Sequence, residues 1–363
     1  MTPACRTFAR LMTTAPDWLA RSAGELWQDW LDATTLRGRL LGVLLLIALS
    51  TLPAWGGPPL VAAMITVLWL AYAGQSWNLL AGFAGLFSLG HALFIGLGGY
   101  LAAAFTLRSG LGPWPGAILA VPLAALAGAF VGALGCRAGL KTVHFTLVTL
   151  ILAEGARLGV LHLDELGLKG LGAAAGLDLP ASPVGGKPVL FYYGILALTA
   201  LALLVVRLLL RSRLGYGWLA VREDPRAAAA MGIDVYRARI TATAVSAALA
   251  APAGVFLALY LRHADPEQML SLSRSLGPLL GTAIGGIGTL VGPVLGAFII
   301  VPADHALSWL IGRNHHDLSA LKPLAGGVAL VLVAMIAPGG LWPGLARRLG
   351  LLKAPPADEG DRQ

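Results

Sequence analysis

Charge is what this 363-residue sequence has least of: Asp, Glu, Lys and Arg make up 12% of it, where about 25% is usual in a soluble domain. So few charges cannot cover the surface of a soluble protein of this length. Cysteine is nearly absent as well. Cys5 and Cys136 have no metal-ligand spacing, and both are expected on the cytoplasmic side, where disulfides rarely persist. No zinc site or disulfide framework is therefore expected. A phosphate-cradling G-x-x-x-x-G-K-[ST] run is missing too, since Gly186-Lys187 is followed by Pro188 and lacks the upstream glycine. The chain cannot hold ATP by that motif. Nor is there an early apolar core of the secretory kind, which would fall within about the first 15–30 residues. The first apolar run opens at Leu40, and the first span is expected to be a retained anchor.

What the chain has instead is apolar length. Hydrophobic residues make up 57%, mean hydropathy is +0.77 and there are 47 glycines, a residue more frequent in transmembrane helices than in soluble ones. The expected fold is all-α: a polytopic membrane protein with about ten spans of about 20 residues each. These are read at 40–55, 59–81, 83–107, 113–135, 143–163, 190–211, 238–261, 276–289, 291–311 and 321–341, with some short or broken by glycine. Residues 1–39 form an extension in which Trp18, Leu19, Ala23, Leu26, Trp27 and Trp30 share one side of a possible interfacial helix. Residues 40–341 form the membrane domain and residues 342–363 a tail.

The net charge of +8 makes no basic stripe of the kind that binds nucleic acid. Its distribution follows the positive-inside rule. Of the 26 Lys and Arg, 17 fall in segments 1–39, 136–142, 211–239 and 342–363, all inside if there are ten spans. The outer loops hold six: Arg108, Lys169, Lys187, Arg262, Arg274 and Arg313. Reading 276–311 as one span would turn the Arg347-Arg348 tail outward, so it is read as a hairpin and both termini are placed in the cytoplasm.

One inside loop, at about 212–237, carries a helix signature. Asp224 suits an N-cap, Pro225 the first helical position, Ala227 to Ala230 the interior and Gly232 the C′ stop. So short a helix is unstable alone in water and needs a surface. It either closes the loop or docks on a partner.

Polar groups inside apolar segments are costly there. Asn78, Ser88 and His91 lie among Gly82, Gly85, Gly90, Gly96, Gly98 and Gly99, glycines that permit close helix contact or a broken helix. Ser88 and His91 allow three readings: a hydrogen bond between helices, a lining of the pathway, or a nucleophile–base pair without an orienting acid. Glu154 and Arg157, three apart, can pair on one helix, either as a fixed neutralised pair or as one that rearranges between states. Asp304 and His305 are expected near water, and His315 and His316 in an outer loop without further ligands.

Four stretches then converge on one family. Glu223-Asp224-Pro225 through Ala230-Met231-Gly232, together with Arg222 and Ala228, resembles the loop by which ABC-transporter permeases press on their ATPase. Trp77-Asn78-Leu79-Leu80-Ala81-Gly82-Phe83-Ala84-Gly85-Leu86-Phe87-Ser88-Leu89-Gly90-His91-Ala92 resembles the LivM-type permeases of branched-chain amino acid importers. So do Phe145 through Glu154 to Arg157, and Gly285-Gly286-Ile287-Gly288 through Pro293 to Gly296. The stretches appear in family order over roughly 60–340. The sequence departs from the family in its N-terminal extension and in Asp304, where Glu is frequent. The resemblance implies a non-catalytic permease subunit of the bacterial inner membrane that imports leucine, isoleucine and valine. It implies a LivH-type second permease, two cytoplasmic ATPases that bind ATP and Mg, and a periplasmic binding protein, with no cofactor in this chain. Alternatives are an ABC permease for another small cargo such as urea, amides or other amino acids, a secondary transporter working alone, or an intramembrane enzyme using Ser88 and His91.

Overall fold

The computed structural model describes residues 36–109, 114–137, 142–162, 177–178, 188–312, 327–328, 335 and 339–350. The possible interfacial helix before residue 36, His315, His316 and nearly all of the tenth expected span lie outside them. Two compact units are distinguished, residues 52–343 and the terminal stretches 1–51 with 344–363; the larger unit holds every candidate residue.

Between turns and irregular linkers the described residues are helical, with one two-residue antiparallel pair, β1 (Leu177–Asp178) with β2 (His263–Ala264). In chain order the helices are α1 (Leu36–Trp55), α2 (Pro58–Asn78), α3 (Ala92–Ser109), α4 (Trp114–Arg137), α5 (Thr142–Leu161), α6 (Pro188–Leu210), α7 (Arg213–Glu223), α8 (Pro225–Ala230), α9 (Val235–Leu261), α10 (Pro266–Met269), α11 (Leu272–Gly285), α12 (Gly292–Gly312) and α13 (Leu341–Arg348). Among the described residues, five helical stretches are long and apolar enough to cross a bilayer: 58–83, 114–137, 143–161, 188–210 and 235–261. Shorter apolar helices cover 42–55, 92–107 and 292–308.

At the centre of the larger unit stands α2. Every residue from Val67 to Leu80 is buried, as expected of a helix that is apolar all round, and α6, α9, α11 and α12 pack against it. Several of its polar groups are bonded across helices. Trp69 Nε1 donates to Ala253 O at 2.9 Å, and the Ser76 carbonyl accepts from Ser246 Oγ at 2.7 Å. The second large contact is α9 on α3 and α4, built on small residues. A Cβ on Gly254 would lie 1.7 Å from Ile95 O and one on Gly98 2.0 Å from Ala251 O, so the two backbones touch as only glycine permits.

Two expected spans are drawn differently. The segment expected as 83–107 does not begin until Ala92. After α2 the chain makes a π-turn over Leu79–Phe83, Gly85 takes a positive φ of 71°, and residues 84–91 are irregular. Non-helical backbone at membrane depth survives only where protein supplies its hydrogen bonds, and here it does. Trp77 Nε1 donates to Ser88 O at 2.8 Å, Thr146 Oγ1 to Phe87 O at 2.9 Å, and Ser275 Oγ accepts from Ala92 N at 2.8 Å. The stretch 276–311 forms two helices, α11 and α12, joined by a turn at 286–291. With 14 residues, α11 is about 21 Å long, short of a bilayer core of about 30 Å.

Candidate functional site

The elbow between α6 and α9 is built by local capping. Ser212 begins α7 and accepts from Gly215 N at 3.4 Å. Asp224 ends α7 and begins α8, where its Oδ1 accepts from Arg226 N at 2.7 Å and Ala227 N at 3.2 Å. Gly232, with φ of 85°, closes α8 while Ile233 N bonds back to Ala228 O at 3.0 Å, the 6→1 bond of a Schellman stop. Asp234 then caps α9 through Arg237 N at 3.0 Å. Trp218, buried, donates from Nε1 to Thr241 Oγ1 at 3.1 Å and fastens α7 to α9.

The seating of α8 sorts the residues of the loop. Ala228 is only 1% exposed and faces inward, so of the expected contact residues it is the seat of the helix and cannot touch a partner. Glu223, Asp224 and Gly232 are exposed, and Pro225 is half-buried. Met231 is 72% exposed and Tyr216 66%; neither stood out in the sequence. Large apolar side chains left in the open beside charges mark an interaction surface.

Arg222 is exposed too, with Nε 3.7 Å from Glu223 Oε1, but its guanidinium also reaches back into the fold. Its Nη1 donates to Gly82 O at 2.6 Å, and its stem lies over Gly85, where an added Cβ would meet Arg222 Cγ at 3.1 Å. Gly82 is in the π-turn that ends α2. Beside it runs the turn between α11 and α12, where Gly286 and Gly288 take φ of 138° and 75°. Asn78, wholly buried, ties that turn down: Nδ2 donates to Thr289 O and Oδ1 accepts from Gly288 N, both at 2.8 Å. Gln75 Nε2 donates to Leu290 O. A Cβ on Gly82 would fall 2.6 Å from Gly288 N, so the π-turn and the α11–α12 turn are in backbone contact. Gly285 crosses Gly292 O at 1.8 Å from its would-be Cβ, and Pro293 packs on Gly74. Asn78, Gly85, Gly285, Gly286, Gly288 and Arg222 thus meet at one junction, with Pro293 close by.

Ser88 and His91 are both buried but not bonded to each other. Ser88 Oγ and His91 Nδ1 have no hydrogen-bond partner among the described residues. His91 Nε2 instead meets Ser76 Oγ at 2.8 Å. The Ser76 hydroxyl proton goes to Ala73 O at 2.8 Å, so His91 Nε2–H is the donor. This removes the nucleophile–base reading and makes His91 a link from the irregular stretch to α2. Gly90 presses on α5, where its would-be Cβ lies 1.8 Å from Thr149 O. Glu154 and Arg157 form their ion pair within α5, Nε to Oε1 at 2.9 Å.

The sequence is similar to known proteins over most of its length. Residues 60–337 match the family described as branched-chain amino acid transport system, permease component. The high-affinity branched-chain amino acid transport permease LivM of Escherichia coli K12 is 28% identical over 86% of this chain and 77% of its own length. The permease LivH of the same organism is 27% identical over 39% of this chain and 44% of its own. The autoinducer 2 import permease LsrC of Enterobacter sp. 638 is 31% identical over 57% and 60%. No solved structure matches.

Proposed function

Since this chain belongs to the permease components of branched-chain amino acid transport systems, and is a non-catalytic, multi-pass membrane subunit of LivM type, we propose a division of labour for it. It pairs with a LivH-type second permease, two cytoplasmic ATPases and a periplasmic binding protein, and passes leucine, isoleucine and valine inward by alternating access. The sequence similarity to LivH over part of the chain supports two related permeases side by side. ATP and Mg belong to the ATPases. The membrane is the bacterial inner membrane, crossed about ten times with both termini in the cytoplasm, as the 17 inside-segment Lys and Arg favour.

The observation that carries the coupling half of this reading is the exposed, doubly capped α8 with Met231 beside it. A six-residue helix cannot stand alone, and here it is seated by Ala228 with its other face open. We assign that face, with Glu223, Asp224, Pro225 and Met231, to the ATPase. Met231→Asp and Glu223→Lys are expected to leave the permease inserted and to lower ATPase co-purification about tenfold, the loss of one contact of about 1.4 kcal/mol. Normal co-purification and normal uptake in both variants would end the assignment.

The pathway is formed by the segments around 75–99 and 276–296, where freed backbone groups line an otherwise apolar route. The binding protein supplies the specificity, and tight binding inside the chain would slow release. A second cargo is favoured by one observation: LsrC, similar over more than half of this chain, is an autoinducer 2 permease. Uptake indifferent to leucine, isoleucine and valine but present for another small polar solute would move the assignment to that class.

A further inference from the structure

Between the docking face and the broken segment of the membrane domain there is one side chain that touches both sides. Arg222 is in the last turn of α7, two residues before the cap of α8. Its guanidinium reaches back to Gly82 O at 2.6 Å. Gly82 lies at the end of the 26-residue helical stretch 58–83, where carbonyls run out of backbone donors ahead of them. Ala84 N bonds to Leu79 O at 3.2 Å and Leu86 N to Leu80 O at 3.0 Å, so both pass over Gly82. A fixed cation at this end also meets the negative pole of the helix dipole. Arg222 thus does for this helix what a C-cap would do, from a different part of the chain.

The same guanidinium is beside the hinge of α11 and α12. A Cβ on Gly288 would sit 2.9 Å from Arg222 Nη1 and 3.1 Å from Gly82 O. Asn78 then holds Gly288 and Thr289 to the end of α2. Elbow, π-turn and hinge therefore form one bonded junction whose link to the elbow is charge-assisted and directional. The glycines at 82, 85 and 288 remove every Cβ that would separate them.

We propose that Arg222 is the positioning residue that carries displacement of the docking loop to the π-turn at 79–83 and the 286–291 hinge. This rests on the assignment of the α8 face to the ATPase. When the ATPases draw α8 inward or release it, the Gly82 carbonyl and, through Asn78, the hinge move with it. Glu223, one residue on, is the more exposed of the two and takes the docking contact; Arg222, partly exposed and 3.7 Å from Glu223 Oε1, reaches back to Gly82 O and takes the transmission.

The test uses the complete complex of both permeases, ATPases and binding protein in liposomes, with four readouts: ATPase co-purification, basal ATP hydrolysis, its stimulation by loaded binding protein, and cargo moved per ATP. Arg222→Ala is expected to keep co-purification and basal hydrolysis at the parent level while stimulation and cargo per ATP fall about tenfold, within the usual range of coupling free energies. Arg222→Lys, which keeps the charge and can still reach one carbonyl, is expected to recover a large part of both. Arg222→Ala with normal stimulation and normal cargo per ATP overturns the proposal. So does loss of the ATPases from Arg222→Ala, which would make Arg222 a docking residue, or loss of both variants from the membrane, which would make it a folding residue. Failure of the docking assignment shows separately, as normal ATPase binding and uptake in Met231→Asp and Glu223→Lys.

Discussion

At the residue scale, the groups that matter are polar side chains with no water to turn to. Asn78 shows the energetics: it supplies one donor and one acceptor to a turn 210 or more residues away. Asn78→Ala leaves Gly288 N and Thr289 O without that partner, and is expected to cost about 1–3 kcal/mol, read as a lower melting midpoint of the purified permease in detergent. An unchanged midpoint would show that the turn finds other partners. Asn78 was legible as a costly polar residue in an apolar run, but its partners were not, because nothing local ties position 78 to 288. Glu154 and Arg157 were fully legible, since an i,i+3 pair is made by the helix alone. Ser88 and His91 were legible as buried and misleading as a pair: the hydroxyl that His91 meets is on Ser76. Gln75 and Ser76 carry the same signal, an amide and a hydroxyl inside an expected span, with partners beyond their own helix at Leu290 and His91.

At the scale of elements, short-range chemistry reads well and packing reads poorly. The stop and start of α8 follow from Asp224, Pro225 and Gly232, all local. Its neighbour α7 did not show, because Gly215 and Gly217 weaken helix propensity; it is held by Trp218 and the Ser212 cap. Asp224→Ala removes the acceptor for two α8 amides and is expected to cost the elbow about 1 kcal/mol. Amide exchange should then speed up at 226–227 while α9 stays protected; unchanged exchange there would show that packing alone holds the helix. The close crossing of α9 on α3 makes the opposite prediction. Gly254→Leu drives a side chain into Ile95 O, a larger insult than the overpacking that typically costs about 1–3 kcal/mol. The variant should be degraded or recovered at a small fraction of the parent yield; parent-level recovery would deny that this crossing is tight. Broken elements were half visible: the glycines after Leu80 announced an interruption, yet unbroken hydropathy hid its extent from 84 to 91.

At the scale of the whole molecule, scarcity of charge established a membrane protein, and the placement of the remaining charges suggested its orientation. Hydropathy alone could not separate a span from a half-helix. That is why α11, at 14 residues, reads as a full span; among the described residues five helices meet the length and hydropathy of a crossing and three shorter apolar helices do not. The elbow, the π-turn and the α11–α12 turn converge on one junction, the proposed route from a docked ATPase to the interior. The most direct test is uptake of labelled leucine into liposomes holding this chain with its partner permease, two ATPases and binding protein. The account predicts uptake that requires ATP, is competed by isoleucine and valine, and is lost when this chain is left out. Uptake that continues without ATP, or a complete complex that ignores all three amino acids, would contradict it.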